Sequence, residues 1–154
     1  MGRIEARIAE LGLRLPTPMP PVGNYVGGKL VGELLYMAGH GPRVDGQLPY
    51  VGKVGRELST QEGYQAARLV VLNTLATAKL LLGDLDRIAE VIKVFGMVNA
   101  VEGYRETPKV LDGASDLLVE IFGENGRHAR SAVGMAALPF DIPVEIEMIF
   151  RVSG

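Results

Sequence analysis

Apolar and polar positions change period several times along this chain, and each change predicts an element. Residues 3 to 11 space Ile4, Ile8 and Leu11 helically among charged neighbours, which predicts a short amphipathic helix. Gly12 is a stop signal, and Leu15 to Val22 is too rich in proline to continue a helix. Strands are expected between Lys29 and Gly39, the second covering Glu33 to Gly39. Gly41 to Arg56 reads as a loop with a turn signal at Val44-Asp45-Gly46-Gln47. Ser59-Thr60-Gln61-Glu62 is a capping box: Ser59 caps, and Glu62 reaches back to the Ser59 amide. The helix it opens runs to Leu82, with Gly83 as its stop. From Ala66 onward that helix is apolar on more than one face, the pattern of a buried helix. Asn73 and Thr74 within it therefore require internal partners.

Further on, Ile88 to Val98 predicts a strand, Tyr104 to Pro108 a loop, and Lys109 to Phe122 a second long helix. Val110, Leu111, Ala114, Leu117, Leu118 and Ile121 form that helix's apolar side. From Ser131 the chain reads as a hairpin: small and apolar residues, a Leu138 to Pro143 connection, then a strand from Val144. Alternation puts Glu145, Glu147 and Ile149 on one face of that strand and Val144, Ile146, Met148 and Phe150 on the other. Ala132, Gly134 and Ala136 share a face that a backbone or a ligand could approach closely. The order helix, β, β, α, β, α, β, β predicts an α+β fold. Its two layers would be a mixed sheet and two long helices on one face, with an extra N-terminal helix. The second sheet face is too apolar for water, so a homo-oligomer is expected to cover it.

At 154 residues the chain suits one domain with a working core. A formal charge of −2 gives no general pull toward nucleic acid or an anionic membrane. The absence of cysteine excludes disulfides and thiolate chemistry. Arg3, Glu5, Arg7 and Glu10 stand where a signal peptide would be apolar, and no run approaches the roughly 20 apolar residues of a membrane span. A cytoplasmic protein is the expectation. His40 and His128 lie far apart without cysteine companions, so no metal site is expected and each reads as a polar loop histidine. No Gly-x-Ser-x-Gly elbow, phosphate loop or dinucleotide fingerprint is present. The Arg127-His128-Arg130 cluster lacks the interleaved aromatics of a strand-binding groove. Arg130, Glu145 and Glu147 remain, and spacing alone leaves two accounts open. In one, Arg130 sits in a structural ion pair with a nearby carboxylate and Glu147 is solvated. In the other, Arg130 at a strand mouth and a carboxylate on the next strand seat a small acid.

Arg130-Ser131-x-Val133-x-Met135-x-x-Leu138-Pro139 followed by Val144-Glu145-Ile146-Glu147 resembles the C-terminal signature of the RidA/YjgF family. Gly23-Asn24-Tyr25 before the first strands, and Leu118-Val119-Glu120-Ile121-Phe122-Gly123 before the signature, are similar to two further family motifs. The resemblance covers residues 18–152 as a RidA-like, chorismate-mutase-like core and leaves 1–17 as a helical extension. It implies a homotrimer with sites between subunits, so that Arg130 and Tyr25 face each other from different chains. It also implies hydrolysis of reactive 2-imino and 2-amino-enoic acids to 2-oxo acids and ammonia, with no cofactor. In that reading Arg130 grips the substrate carboxylate, Glu145 orients water and moves protons, and Tyr25, Gly39 and Ser131 complete the binding site; Glu147 stays structural. Three positions depart from the family pattern: Ala132 for a frequent cysteine, His40 for a glutamine, and Ser115 for an asparagine. Two rivals are a trimeric module that binds small carboxylates without turnover, and an endoribonuclease. The near-neutral charge and the lack of a general-base histidine pair disfavour the second.

Overall fold

A computed structural model of the chain describes all 154 residues. Its elements are α1 (Arg3–Glu10), β1 (Gly28–Val31), β2 (Leu34–Met37), α2 (Thr60–Leu82), β3 (Ile88–Asn99), α3 (Thr107–Phe122), β4 (Ala129–Met135) and β5 (Val144–Val152). The five strands form one mixed sheet in the order β1-β2-β5-β3-β4, with only β3 and β4 parallel. This is the expected α+β architecture. Helices α2 and α3 cover one face and share a core with Val94, Val98, Val144, Ile146, Met148 and Phe150.

Local chemistry explains the helices. The Ser59 hydroxyl accepts from the Glu62 amide and the Glu62 carboxylate accepts from the Ser59 amide, so the capping box is formed at both ends. Asn73 donates to the Arg43 and Leu69 carbonyls and Thr74 to the Val70 carbonyl, which supplies the internal partners both required. By length and composition α2 could cross a membrane, but 67% of its apolar window is buried in this protein's own core. Helix α3 starts at Thr107, two residues earlier than expected, because Pro108 occupies the first turn, where a missing N–H costs nothing. Gly113 permits α3 to pass close to α2: a Cβ there would strike the Tyr64 carbonyl. Helix α1 has no side-chain cap of its own at Gly2; the Asp86 carboxylate accepts from the Arg3 and Ile4 amides, both at 2.8 Å.

One expectation fails. Residues 131 to 150 are not a hairpin, because β3 lies between β4 and β5 and pairs with both. The Ala136 to Pro143 connection instead crosses the end of β3, spanning two strand spacings of about 10 Å in all. Asn99, the last residue of β3 and fully buried, fastens it there. Its amide donates to the Pro143 carbonyl, its side-chain NH₂ to Asp141, and its side-chain oxygen accepts from Lys53. The small-residue face is also explained. Ala132 and Gly134 turn toward the start of α3, where Thr107 donates to the Ala132 carbonyl at 3.0 Å, so α3 makes the close approach there; Ala136 lies beyond the strand.

Candidate functional site

Strand alternation and the register decide where each candidate points. Glu145 pairs with Met97 and Glu147 with Phe95, on the face away from the helices. Arg130 pairs with Val94, a fully buried residue of the helix-facing side, and Ser131 with Phe95 on the open side. Arg130 and Glu145 are therefore on opposite faces and two strands apart within one chain.

Glu145 lies in a cleft of about 490 Å³ whose wall also includes Tyr25, Gly39, His40, Arg43 and Thr77. The segment before β1, the loop after β2, α2 and the crossing connection converge there. Gly39 is placed so that a Cβ would collide with the Glu145 carboxylate, and only its missing side chain leaves the two in contact. The Glu145 carboxylate has no hydrogen-bond or ion-pair partner in the chain. Its pKa is raised above the ordinary glutamate value, first by burial and then by the neighbouring charge of Glu147. Across the cleft, His40 is held at both ring nitrogens. Nδ1–H donates to the Ala38 carbonyl at 2.7 Å, which leaves Nε2 to accept from the Thr77 hydroxyl at 3.0 Å. Burial lowers its pKa and favours the neutral ring.

Arg130 sits in a different environment. Its Nη1 donates to Asp112 at 2.9 Å and to the Ser115 hydroxyl at 3.1 Å, while Nε and Nη2 have no partner. Ser115 in turn bonds His128 Nε2 at 2.9 Å, and His128 Nδ1–H donates to the Gly126 carbonyl. Burial lowers the His128 pKa; the bond to the Gly126 carbonyl opposes this, and the nearby Arg130 charge adds to the lowering. Both histidines lie outside the helices and strands, as expected, and both are locked into hydrogen-bond chains. The structure thus brings Tyr25, Gly39 and Glu145 together and leaves Arg130 and Ser131 on the β4 edge strand. Sequence reasoning missed Arg43 and Phe140 as cleft residues. Both come from loops, where binding residues concentrate, but neither belongs to a motif.

The open face of the sheet carries Tyr36, Met97, Phe95, Val133, Met135 and Ile149, interrupted by Lys93 and Glu147. Tyr36 is 44% exposed, Val31 58% and Val133 37%, an apolar surface left uncovered by the chain itself.

With this geometry, the chain matches over residues 5–149 the family described as "YjgF/chorismate mutase-like, putative endoribonuclease". It belongs to the YjgF/RidA family. The match takes in most of α1. Protein TCP17 of Trypanosoma cruzi is 39% identical over 153 residues, 99% of this chain and 96% of that protein. The crystal structure of Atu1372 from Agrobacterium tumefaciens, a protein of unknown function, superimposes with a TM-score of 0.92 at 43% identity, covering 98% of this chain and 93% of that one. A Shewanella oneidensis protein bearing the same endoribonuclease label gives 0.93 at 38% identity, covering 97% and 99%.

Proposed function

We propose that this protein hydrolyses 2-imino and 2-amino-enoic acids to 2-oxo acids and ammonia, at sites completed between copies of the chain in a trimer. The observation that carries the reading is Glu145: a half-buried carboxylate with no partner, raised pKa and a glycine backbone beside it, in a cleft. An unpaired buried charge is costly unless a ligand or a reaction uses it. Arg130 of a neighbouring copy would grip the substrate carboxylate through the Nε and Nη2 edge that Asp112 and Ser115 leave free. The exposed apolar sheet face supports association, and Arg130 on an edge strand is accessible to a neighbour.

In the reaction, water adds to the iminium carbon while its C=N π pair moves to nitrogen. A 2-amino-enoic acid first takes a solvent proton at its terminal carbon to give that iminium. Glu145 takes one proton from the adding water and returns it to nitrogen. As the C–N bond breaks, the carbinol O–H pair forms the carbonyl and its proton passes through Glu145 to the departing ammonia. The products are the 2-oxo acid and ammonium. A carboxyl whose pKa is raised moves protons both ways more readily near neutrality. Orientation supplies the remaining acceleration, with no covalent intermediate. Tyr25 and the Gly39 backbone border the reacting group.

The test couples purified protein to a serine or threonine dehydratase, which releases the amino-enoic acid. Release of the 2-oxo acid above the spontaneous rate is expected, together with a solution mass near three times the 16.5 kDa chain. A spontaneous rate unchanged by the protein, alongside measurable 2-oxo acid binding, would replace turnover with a carboxylate-binding role.

A further inference from the structure

Arg43 is the one cation on the wall of the Glu145 cleft, and it has no anionic partner. Its backbone carbonyl accepts from Asn73, but its guanidinium makes no hydrogen bond or ion pair within the chain. Instead it lies over the Phe140 ring, 5.2 Å from the centroid. Phe140 is 69% exposed and holds a left-handed backbone at φ 58°, a conformation that disfavours a bulky side chain. A ring in such a position gains little by burial, yet it stands within cation–π range of the guanidinium. A cation–π contact of this kind holds the guanidinium in place and uses none of its N–H donors. The other ionisable groups at the cleft are Tyr25, Glu145, and His40, which burial keeps neutral. A positioned, unpaired guanidinium therefore faces a volume that a three-carbon acid would leave mostly empty. Clefts of this size, roughly 300–1,000 Å³, enclose larger ligands.

We infer that Arg43 binds a second carboxylate, so that the preferred substrates are imines of acidic amino acids, with a carboxylate at the end of the side chain as well as next to the imine carbon. The inference rests on the proposed reading of this cleft, in which Arg130 of a neighbouring copy takes the first carboxylate. Arg43 would then act as a specificity residue. It lies on the same chain as Glu145 and requires no neighbour to reach the cleft. Two arginines at separate positions would set a length requirement that a single carboxylate anchor cannot impose. Phe140 contributes by holding the Arg43 guanidinium in place through the cation–π contact.

The experiment uses the full chain in two arms. In the first, calorimetry compares 2-oxoglutarate with 2-oxobutanoate, stable products of an acidic and a neutral imine. The wild-type protein should bind 2-oxoglutarate on the order of 10- to 100-fold more tightly, the worth of a charge-assisted hydrogen-bond pair. Arg43→Gln should remove that preference while leaving 2-oxobutanoate affinity unchanged. In the second arm, oxidases generate imines in situ from glutamate or alanine, and 2-oxo acid release is followed. The acidic imine should show the higher kcat/KM, and Arg43→Gln should lower it for that imine alone. Equal wild-type affinity for the two acids, or equal loss on both in the variant, overturns the inference. The first criterion needs no variant and so survives a folding failure. Hydrolysis without acidic preference would sink this inference and leave the proposed activity standing. An Arg43-dependent preference without hydrolysis would do the reverse.

Discussion

Glu145 and Arg130 are separated by 15 positions in sequence and live in opposite circumstances. Glu145 is half-buried, unpaired, and touches a glycine in a cleft. Arg130 is at the sheet edge, tied by one nitrogen to Asp112 and Ser115, with the rest of its fork open. A group with no partner and a group with half its donors free are each incomplete. The contrast fits the proposed reading, in which neither region is a site alone and a second chain brings them together. Their unequal support also implies different failures on substitution. Arg130 retains a structural tie when its function is lost; Glu145 has nothing to lose except function.

The largest effect should follow Glu145→Gln. Turnover in the dehydratase-coupled assay should fall on the order of 10²–10⁴-fold, with binding of a stable 2-oxo acid unchanged. The same variant should be more stable than wild type at neutral pH. Glu145 has a folded pKa raised above its ordinary value of 4.5, so its proton stabilises the fold below that value and this contribution is lost as pH rises. The stability gain should therefore vanish near pH 4 in thermal melts. A variant that is instead destabilised at pH 7 would mean that Glu145 has a structural partner.

Next comes Arg130→Lys, which keeps the charge but not the bidentate fork. Substrate binding should weaken by about 2–4 kcal/mol, as for a broken interfacial charge pair. Mixing this variant with Glu145→Gln, after dissociation and reassembly, sharpens the comparison. If each site draws Glu145 and Arg130 from different chains, about a quarter of the wild-type activity should return at equal proportions in random cyclic assemblies. No recovery in reassembled mixtures would place both groups on one chain.

A smaller effect is expected from Gly39→Ala. The added Cβ would push the Glu145 carboxylate aside without touching the core, so turnover should drop about 10-fold or more for a displacement of an ångström, with melting little changed. The smallest should be Ser59→Ala, remote from both regions. Losing the cap should cost roughly 0.5–2 kcal/mol in denaturant titrations and leave activity per folded molecule intact.

Legibility in the sequence divided along a physical line. The capping box, the buried character of α2, the apolar side of α3 and the alternation of β5 were readable because each depends on neighbours within a few residues. The β4–β5 arrangement was not. Eight residues between strands look like a hairpin connection, and only the position of β3 turns them into a crossing. That position is secured by Asn99, whose side chain bonds Lys53 and Asp141, 46 and 42 residues away, and whose backbone amide bonds Pro143. The same distinction applies to the cleft. Tyr25, Gly39 and Glu145 stood in motifs, whereas Arg43 acquires a role only because Phe140 arrives beside it from a loop nearly a hundred residues on. His40 and His128 were readable as polar loop residues, but their anchors, Thr77 and Ser115, were not, because these lie on helices distant in sequence or across a turn.

Asp86 carries a consequence for the order in which this molecule assembles. An eight-residue helix is too short to persist alone, since isolated helices shorter than about 12–15 residues are marginal in water. The two amides that Asp86 receives belong to residues 82 and 83 positions earlier. On the ribosome, Arg3 and Ile4 emerge well before the carboxylate that will hold them exists. Helix α1 must therefore wait, unstructured or transient, while α2 and the start of β3 are made. This early segment is thereby among the last to be secured, and its docking reports that the body behind it has closed.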